Sequence, residues 1–164
     1  MTGMKSLRAE REIRVKPITA AEQERRVNHA IALRAYDLFE ARGSASWHEL
    51  DDWRRAENEV RCTMCFGLTE ADDKVLIGCD LNRFEEGSIE IWIAPRRITI
   101  SGRPLERDAC GCGKSYGGPV FREIQLPTEI DPKAVAVERN HRFLEIKLPF
   151  AHSTMERANK VSAA

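Results

Sequence analysis

Ser88-Ile-Glu-Ile-Trp-Ile93 and, beyond a short break at Ala94-Pro-Arg96, Arg97-Ile-Thr-Ile-Ser101 are the stretches on which the fold turns. In both, branched apolar residues recur at every second position, the period of a strand with one face buried. Ile89, Ile91 and Ile93 are therefore expected on the core side, with Glu90 and Trp92 facing the other way. An outward Trp92 fits two arrangements, a contact surface or packing beneath another part of the chain. The same period recurs in Lys74–Leu81, Phe121–Leu126, Ala134–Val137 and Phe143–Leu148. Turn chemistry separates these segments at Glu70-Ala-Asp-Asp73, Glu85-Glu-Gly87, Pro127-Thr-Glu129 and Arg139-Asn-His-Arg142. Strands this frequent, with no helical spacing among them, predict a mainly β fold built as an antiparallel β-sandwich.

Upstream of residue 61 the period is helical. Val27, Ile31, Ala35 and Leu38 form one stripe, flanked by Leu33, Tyr36 and Phe39, and Gly43 ends the helix. Ser46-Trp-His-Glu49 has the capping-box form and opens a second helix that carries Trp47, Leu50, Trp53, Ala56 and Val60. The two make a hairpin, with Tyr36, Phe39, Trp47 and Trp53 expected to close a small core of their own. A segment of this size rarely folds unaided, so the hairpin should lean on the following domain or on a second copy. The expected organisation is a flexible basic tail over 1–21, the helical hairpin over 22–60, the sandwich over 61–151 and a flexible tail over 152–164.

Composition narrows the function classes. The 164 residues suffice for one ordinary domain with a small appendage. The 26 basic and 26 acidic residues cancel, so no global field favours nucleic acid or an anionic membrane. Residues 1–26 hold seven Lys/Arg (Lys5, Arg8, Arg11, Arg14, Lys16, Arg25, Arg26) against Glu10, Glu12, Glu22 and Glu24, without an aromatic residue to stack on bases. Neither a nucleic-acid nor a membrane partner is expected. With no apolar leader and no run long enough to span a bilayer, a cytoplasmic protein is the expectation, and the five cysteines then read as reduced thiols.

Taken in order, Arg97-Ile-Thr-Ile-Ser-Gly102, Phe121-Arg-Glu-Ile-Gln-Leu-Pro127, Ile130-Asp-Pro-Lys-Ala-Val-Ala-Val137 and Leu144-Glu-Ile-Lys-Leu-Pro149 resemble the α-crystallin domain of the small heat-shock proteins. The resemblance covers about residues 63–151 and implies an immunoglobulin-like sandwich. The function it implies is that of an ATP-independent holdase, not an enzyme, which needs no cofactor, binds partly unfolded client proteins and self-associates as a dimer or small oligomer. It also implies a groove between the strand holding Ile91 and Ile93 and the strand holding Val135 and Val137. Separately, Leu33–Gly43 through Glu49–Glu57 resembles a short bacterial helical domain of unassigned function.

Three positions depart from the family pattern. Asn82-Arg83 stands where a Pro-Gly turn is expected, with Asn82 the residue suited to a left-handed conformation. In Ala136-Val-Glu-Arg-Asn-His-Arg-Phe-Leu144, His141 replaces a glycine and one residue is added, which predicts a longer loop. The segment from Ala151 to Ala164 contains no Ile-x-Ile, so oligomers linked through that motif are not expected.

Cys110-Gly-Cys-Gly-Lys-Ser115 has the look of a phosphate loop, but Asp108 stands where its first glycine belongs, and Tyr116-Gly-Gly-Pro119 breaks the helix that must follow. Cys62, Cys65, Cys110 and Cys112 together supply four thiols, which leaves a thiolate metal site or a redox pair open beside inert cysteines. No bound metal is expected, and Cys79 reads as a small buried hydrophobe. His29, His48, His141 and His152 sit at helix, cap, loop and tail positions, with no nucleophile motif beside them. The two alternatives to a holdase are an interaction adaptor on the same sandwich and a thiol-based metal or redox sensor.

Overall fold

The computed structural model describes residues 13–44, 46–61, 66–105 and 116–151. Within them the order is β1 (Arg14–Pro17), α1 (Ala20–Ala41), α2 (Glu49–Val60), β2 (Phe66–Glu70), β3 (Lys74–Asp80), β4 (Glu90–Ala94), β5 (Arg97–Gly102), β6 (Val120–Gln125), β7 (Ala136–Asn140) and β8 (Phe143–Pro149). Two four-stranded sheets result, ordered β1-β4-β5-β6 and β2-β3-β8-β7. The alternation that predicted strands also stacks the sheets. Ile77 of β3, Ile91 and Ile93 of β4, Ile98 and Ile100 of β5, and Leu144, Ile146 and Leu148 of β8 all join one buried cluster. Full burial of each such side chain is worth about 1.5–3 kcal/mol, which makes this layer the main source of stability.

The mainly β sandwich and its N-terminal helical pair are as the sequence predicts, with one exception to antiparallel pairing. β1 lies parallel to β4, Val15 opposite Ile91 and Pro17 opposite Ile93. The flexible tail expected over 1–21 is therefore corrected from Arg14 onward, because these residues cover the β4 edge and run into α1 after Ile18 and Thr19. Thr19 caps α1, its hydroxyl accepting from the Glu22 amide at 3.2 Å.

Several local expectations change. The second helix starts at Glu49, with no side-chain cap at its N-terminus, so the capping box does not form. The two-residue turn His141-Arg142 joins β7 to β8 with Asn140 paired to Phe143, so the longer loop is corrected to a tight one. His141 takes the left-handed conformation there, at φ 54°. Asn82 does not; its amide donates to the Asp80 carboxylate at 2.9 Å, and that side-chain turn does the work expected of a left-handed residue. β7 begins two residues later than expected, because Ala134 is held in a turn by its amide donating to the Asp131 carbonyl at 3.1 Å.

The helical hairpin lies on the outer face of the β1-β4-β5-β6 sheet. Its own aromatics do not close a small core: Tyr36, Trp47 and Trp53 are exposed, Trp47 at 92%. Instead Val27, Ile31 and Leu38 of α1 and Ala56 and Val60 of α2 pack against Trp92 and Phe121 of the sheet. Trp92, outward as predicted, is thereby buried beneath the hairpin rather than displayed.

Candidate functional site

The two strands expected to frame a groove occupy different states. Ile91 and Ile93 are core residues, while Val135 and Val137 are half-buried and pack against the same core from the other sheet. The hydrogen-bonding edge of β4 that would face an incoming chain is taken by β1. The Arg14 amide donates to the Ile89 carbonyl at 3.2 Å, and the Ile18 amide donates to the Ile93 carbonyl at 3.0 Å. The groove predicted at Ile91, Ile93, Val135 and Val137 is thus filled along its β4 side by the chain's own first strand.

β1 holds this place lightly. Val15, opposite Ile91 and so on the core-facing side, is still 42% exposed. Ile13, just before the strand, packs against the core cluster. It also lines a cavity of about 280 Å³ with Leu81, Phe84, Ile89, Leu105 and Arg139. Arg139 closes the far wall through an ion pair with Glu86 at 3.3 Å. On the outer face Glu90 is the node: it pairs with Arg14 at 3.2 Å and with Lys16 at 3.7 Å, and it accepts from the Trp92 indole nitrogen at 3.2 Å. Arg26 of α1 in turn lies over the Trp92 ring, 5.3 Å from its centroid. Ion pairs as exposed as those of Arg14 and Lys16 contribute about 0–1 kcal/mol each, so Ile13 and the ladder bonds carry most of the attachment.

Sequence reasoning missed β1 because Arg14-Val-Lys-Pro17 is basic, short and ends in proline, a composition shared with solvated tails. Its one signal was Ile13, Val15 and Ile18 among the charges. Gln23 was missed for the same kind of reason. This polar residue of α1 is fully buried, accepting at 2.8 Å from the Thr99 hydroxyl on β5, and its amide donates to the Ile18 carbonyl at 3.3 Å. The junction of β1 with α1 is thereby tied to the sheet.

Apolar side chains also stand exposed at the other sheet's periphery: Leu68 of edge strand β2, opposite core residue Ile77, and Phe143 of β8, whose ring lies over Gly78. Tyr116 bridges the two buried clusters, with Arg34 5.2 Å above its ring and its hydroxyl donating to the Pro119 carbonyl. Burial pushes this phenol up to about 12 despite the nearby Arg34 charge. His29, His48 and His141 are exposed. Cys79 is buried in β3. Cys62, Cys65, Cys110, Cys112, His152 and the whole Cys110–Ser115 stretch lie outside the described residues.

Residues 28–61 match the family model described as "Protein of unknown function (DUF2934)", which is the helical hairpin from mid α1 to the end of α2. No curated protein matches the chain. Among solved structures, the chain is similar to heat shock protein 16.0 from Schizosaccharomyces pombe, with 18% identity and a TM-score of 0.45, covering 56% of this chain and 68% of that one. It is similar also to hspA from Xanthomonas axonopodis, at 17% identity and a TM-score of 0.43, covering 54% and 93%. A small heat-shock protein from Xylella fastidiosa matches at 17% identity and a TM-score of 0.42, covering 53% and 84%.

Proposed function

We propose that this protein is an ATP-independent holdase that binds partly unfolded polypeptides and keeps them from aggregating. The observation that carries the reading is a sandwich whose edge strands keep core-facing apolar side chains partly uncovered, Val15 on β1 and Leu68 on β2. Non-native chains expose apolar side chains and unpaired strand backbone together, and an edge of this kind complements both at once. The four ordered segments that resemble the α-crystallin domain support the same reading. In it, clients are extended segments that add to the exposed sheet edges, beside Val15 on β1 and Leu68 on β2, and no catalytic group takes part.

The test is light scattering by several unrelated heat-labile clients, without ATP, with and without reductant. Suppression at near-stoichiometric amounts is expected. Absence of suppression across all clients overturns the reading; capture of one native partner alone would point to an adaptor, and dependence on reductant to a thiol sensor.

A further inference from the structure

We infer that the outer face of α2 is a self-recognition surface, on which a second copy of this chain docks its own α2 in the antiparallel sense. The inference stands apart from the holdase reading and concerns the hairpin, the module whose matching family model carries no function. Nine large apolar side chains are exposed among the described residues, and five of them, Leu33, Tyr36, Trp47, Leu50 and Trp53, belong to the hairpin. Its buried stripe is already used, since Val27, Ile31, Leu38, Ala56 and Val60 pack on Trp92 and Phe121. What α2 leaves uncovered is a second face. Leu50, Trp53 and Arg54 recur there at spacings of three and four, with Leu50 62% and Trp53 37% exposed.

Charge indicates what covers that face. Ion pairs within the chain engage Asp52 with Arg42, Arg55 with Glu59, and Arg61 with Glu57 and Glu123. Arg54 is exposed and has no ion-pair partner among the described residues, while Asp51 meets His48 at 3.6 Å with its side chain 73% exposed. An arginine and a carboxylate so placed, interleaved with Leu50 and Trp53, make a surface that complements itself. With a two-fold axis crossing α2 between Leu50 and Trp53, each Leu50 lies against Trp53 of the second copy and each Asp51 reaches Arg54 of the second copy. A parallel pair would set Asp51 against Asp51 and Arg54 against Arg54, so the charges select the antiparallel arrangement, which closes at two chains. α2 has 12 residues, a length of about 18 Å, so a patch built on it lies at the small end of interface sizes. The dimer should accordingly be half dissociated on the order of 10–100 µM.

The experiment is sedimentation velocity on the full chain between about 1 and 200 µM. The natural chain should run as a monomer at the lowest concentration and as a dimer at the highest. R54D and D51R each set like charges across the axis and should weaken dimerisation at least about tenfold, and L50E should abolish it. Mixed in equal amounts, R54D and D51R present opposite charges at both crossings, so the mixture should dimerise as the natural chain does. A purely structural role for either residue does not produce that rescue. The inference is overturned by a natural chain that is monomeric throughout, by a dimer that R54D, D51R and L50E leave unchanged, as for an interface on the sandwich, or by a mixture no more associated than either variant alone. Should D51R, in the acidic first turn of α2, lose its far-UV circular dichroism, R54D and L50E decide alone.

Discussion

Gln23 and Thr99 show how one polar contact decides where a helix sits. Both are buried, and each satisfies the other between α1 and β5 at 2.8 Å. Gln23→Leu leaves the Thr99 hydroxyl buried without this acceptor and should cost about 1–3 kcal/mol in urea denaturation. Adding Thr99→Val removes the orphan and should recover most of that loss; a double variant no more stable than the single one would show that the contact is not what holds α1 down. Neither residue was legible beforehand, since a glutamine among Glu22, Glu24 and Arg25 reads as a solvated helix face. Trp92 was half legible: alternation with Ile91 and Ile93 gave its direction, but only the docked hairpin tells what covers it. Tyr116 supplies a pH dependence. Its phenol keeps its proton to about 12 when folded, against 10.0 for an unburied tyrosine. Between these values the folded chain binds more protons than the unfolded one, so the Tyr116 contribution is fully present below pH 10 and is lost as pH rises toward 12. Melting temperatures across that range should fall less steeply for Tyr116→Phe than for the natural chain; parallel slopes would contradict the burial assigned to this ring.

At the scale of elements, the strands read correctly from sequence are those with a buried face, and those missed have little of one. β3, β4, β5, β6 and β8 each alternate or run apolar, whereas β2 is exposed at four of its five residues and β1 at three of four. β7 was displaced in register because its later residues, Glu138, Arg139 and Asn140, are polar members of an edge strand. The loop between the helices carries its own conflict. Trp47 combines a φ of 80° with 92% exposure, a conformation that costs a non-glycine residue about 1–2 kcal/mol and here buries no compensating surface. Trp47→Gly should therefore raise stability to urea by about 0.5–1 kcal/mol once the unfolded-state entropy of glycine is subtracted. If the indole serves client contact, the same variant should protect clients less well in the scattering assay. A variant that is both more stable and fully protective would remove Trp47 from the binding surface.

For the molecule as a whole, the change of hydrophobic period near residue 61 made two modules legible, and their docking was not. Amphipathicity says that α1 and α2 each have an apolar stripe, but two stripes can satisfy each other, a second copy or a sheet equally well. What selects the sheet is the pairing of Val27, Ile31 and Val60 with Trp92 and Phe121, large side chains on the outer face of strands whose other face is already filled. Around this apolar contact lies a polar rim. Arg61 and Arg97 both pair with Glu123 of β6, and Gln23 meets Thr99. The hairpin and the sandwich thus share one buried layer, and they should unfold together. Far-UV circular dichroism, which follows both modules, and the fluorescence of Trp92 in a W47F/W53F background, which follows the junction, should give coincident urea transitions. Trp92→Ala should cost about 3–5 kcal/mol, because the hole it leaves is lined by both modules and neither can collapse into it alone. It should also split the transition, with helical signal lost before the sheet. Coincident transitions that survive Trp92→Ala would mean that the polar rim, not the tryptophan, couples the modules. A natural chain that already unfolds in two steps would mean that β1, which runs into α1 through Ile18 and Thr19, is anchored to a hairpin that comes and goes independently of the sheet.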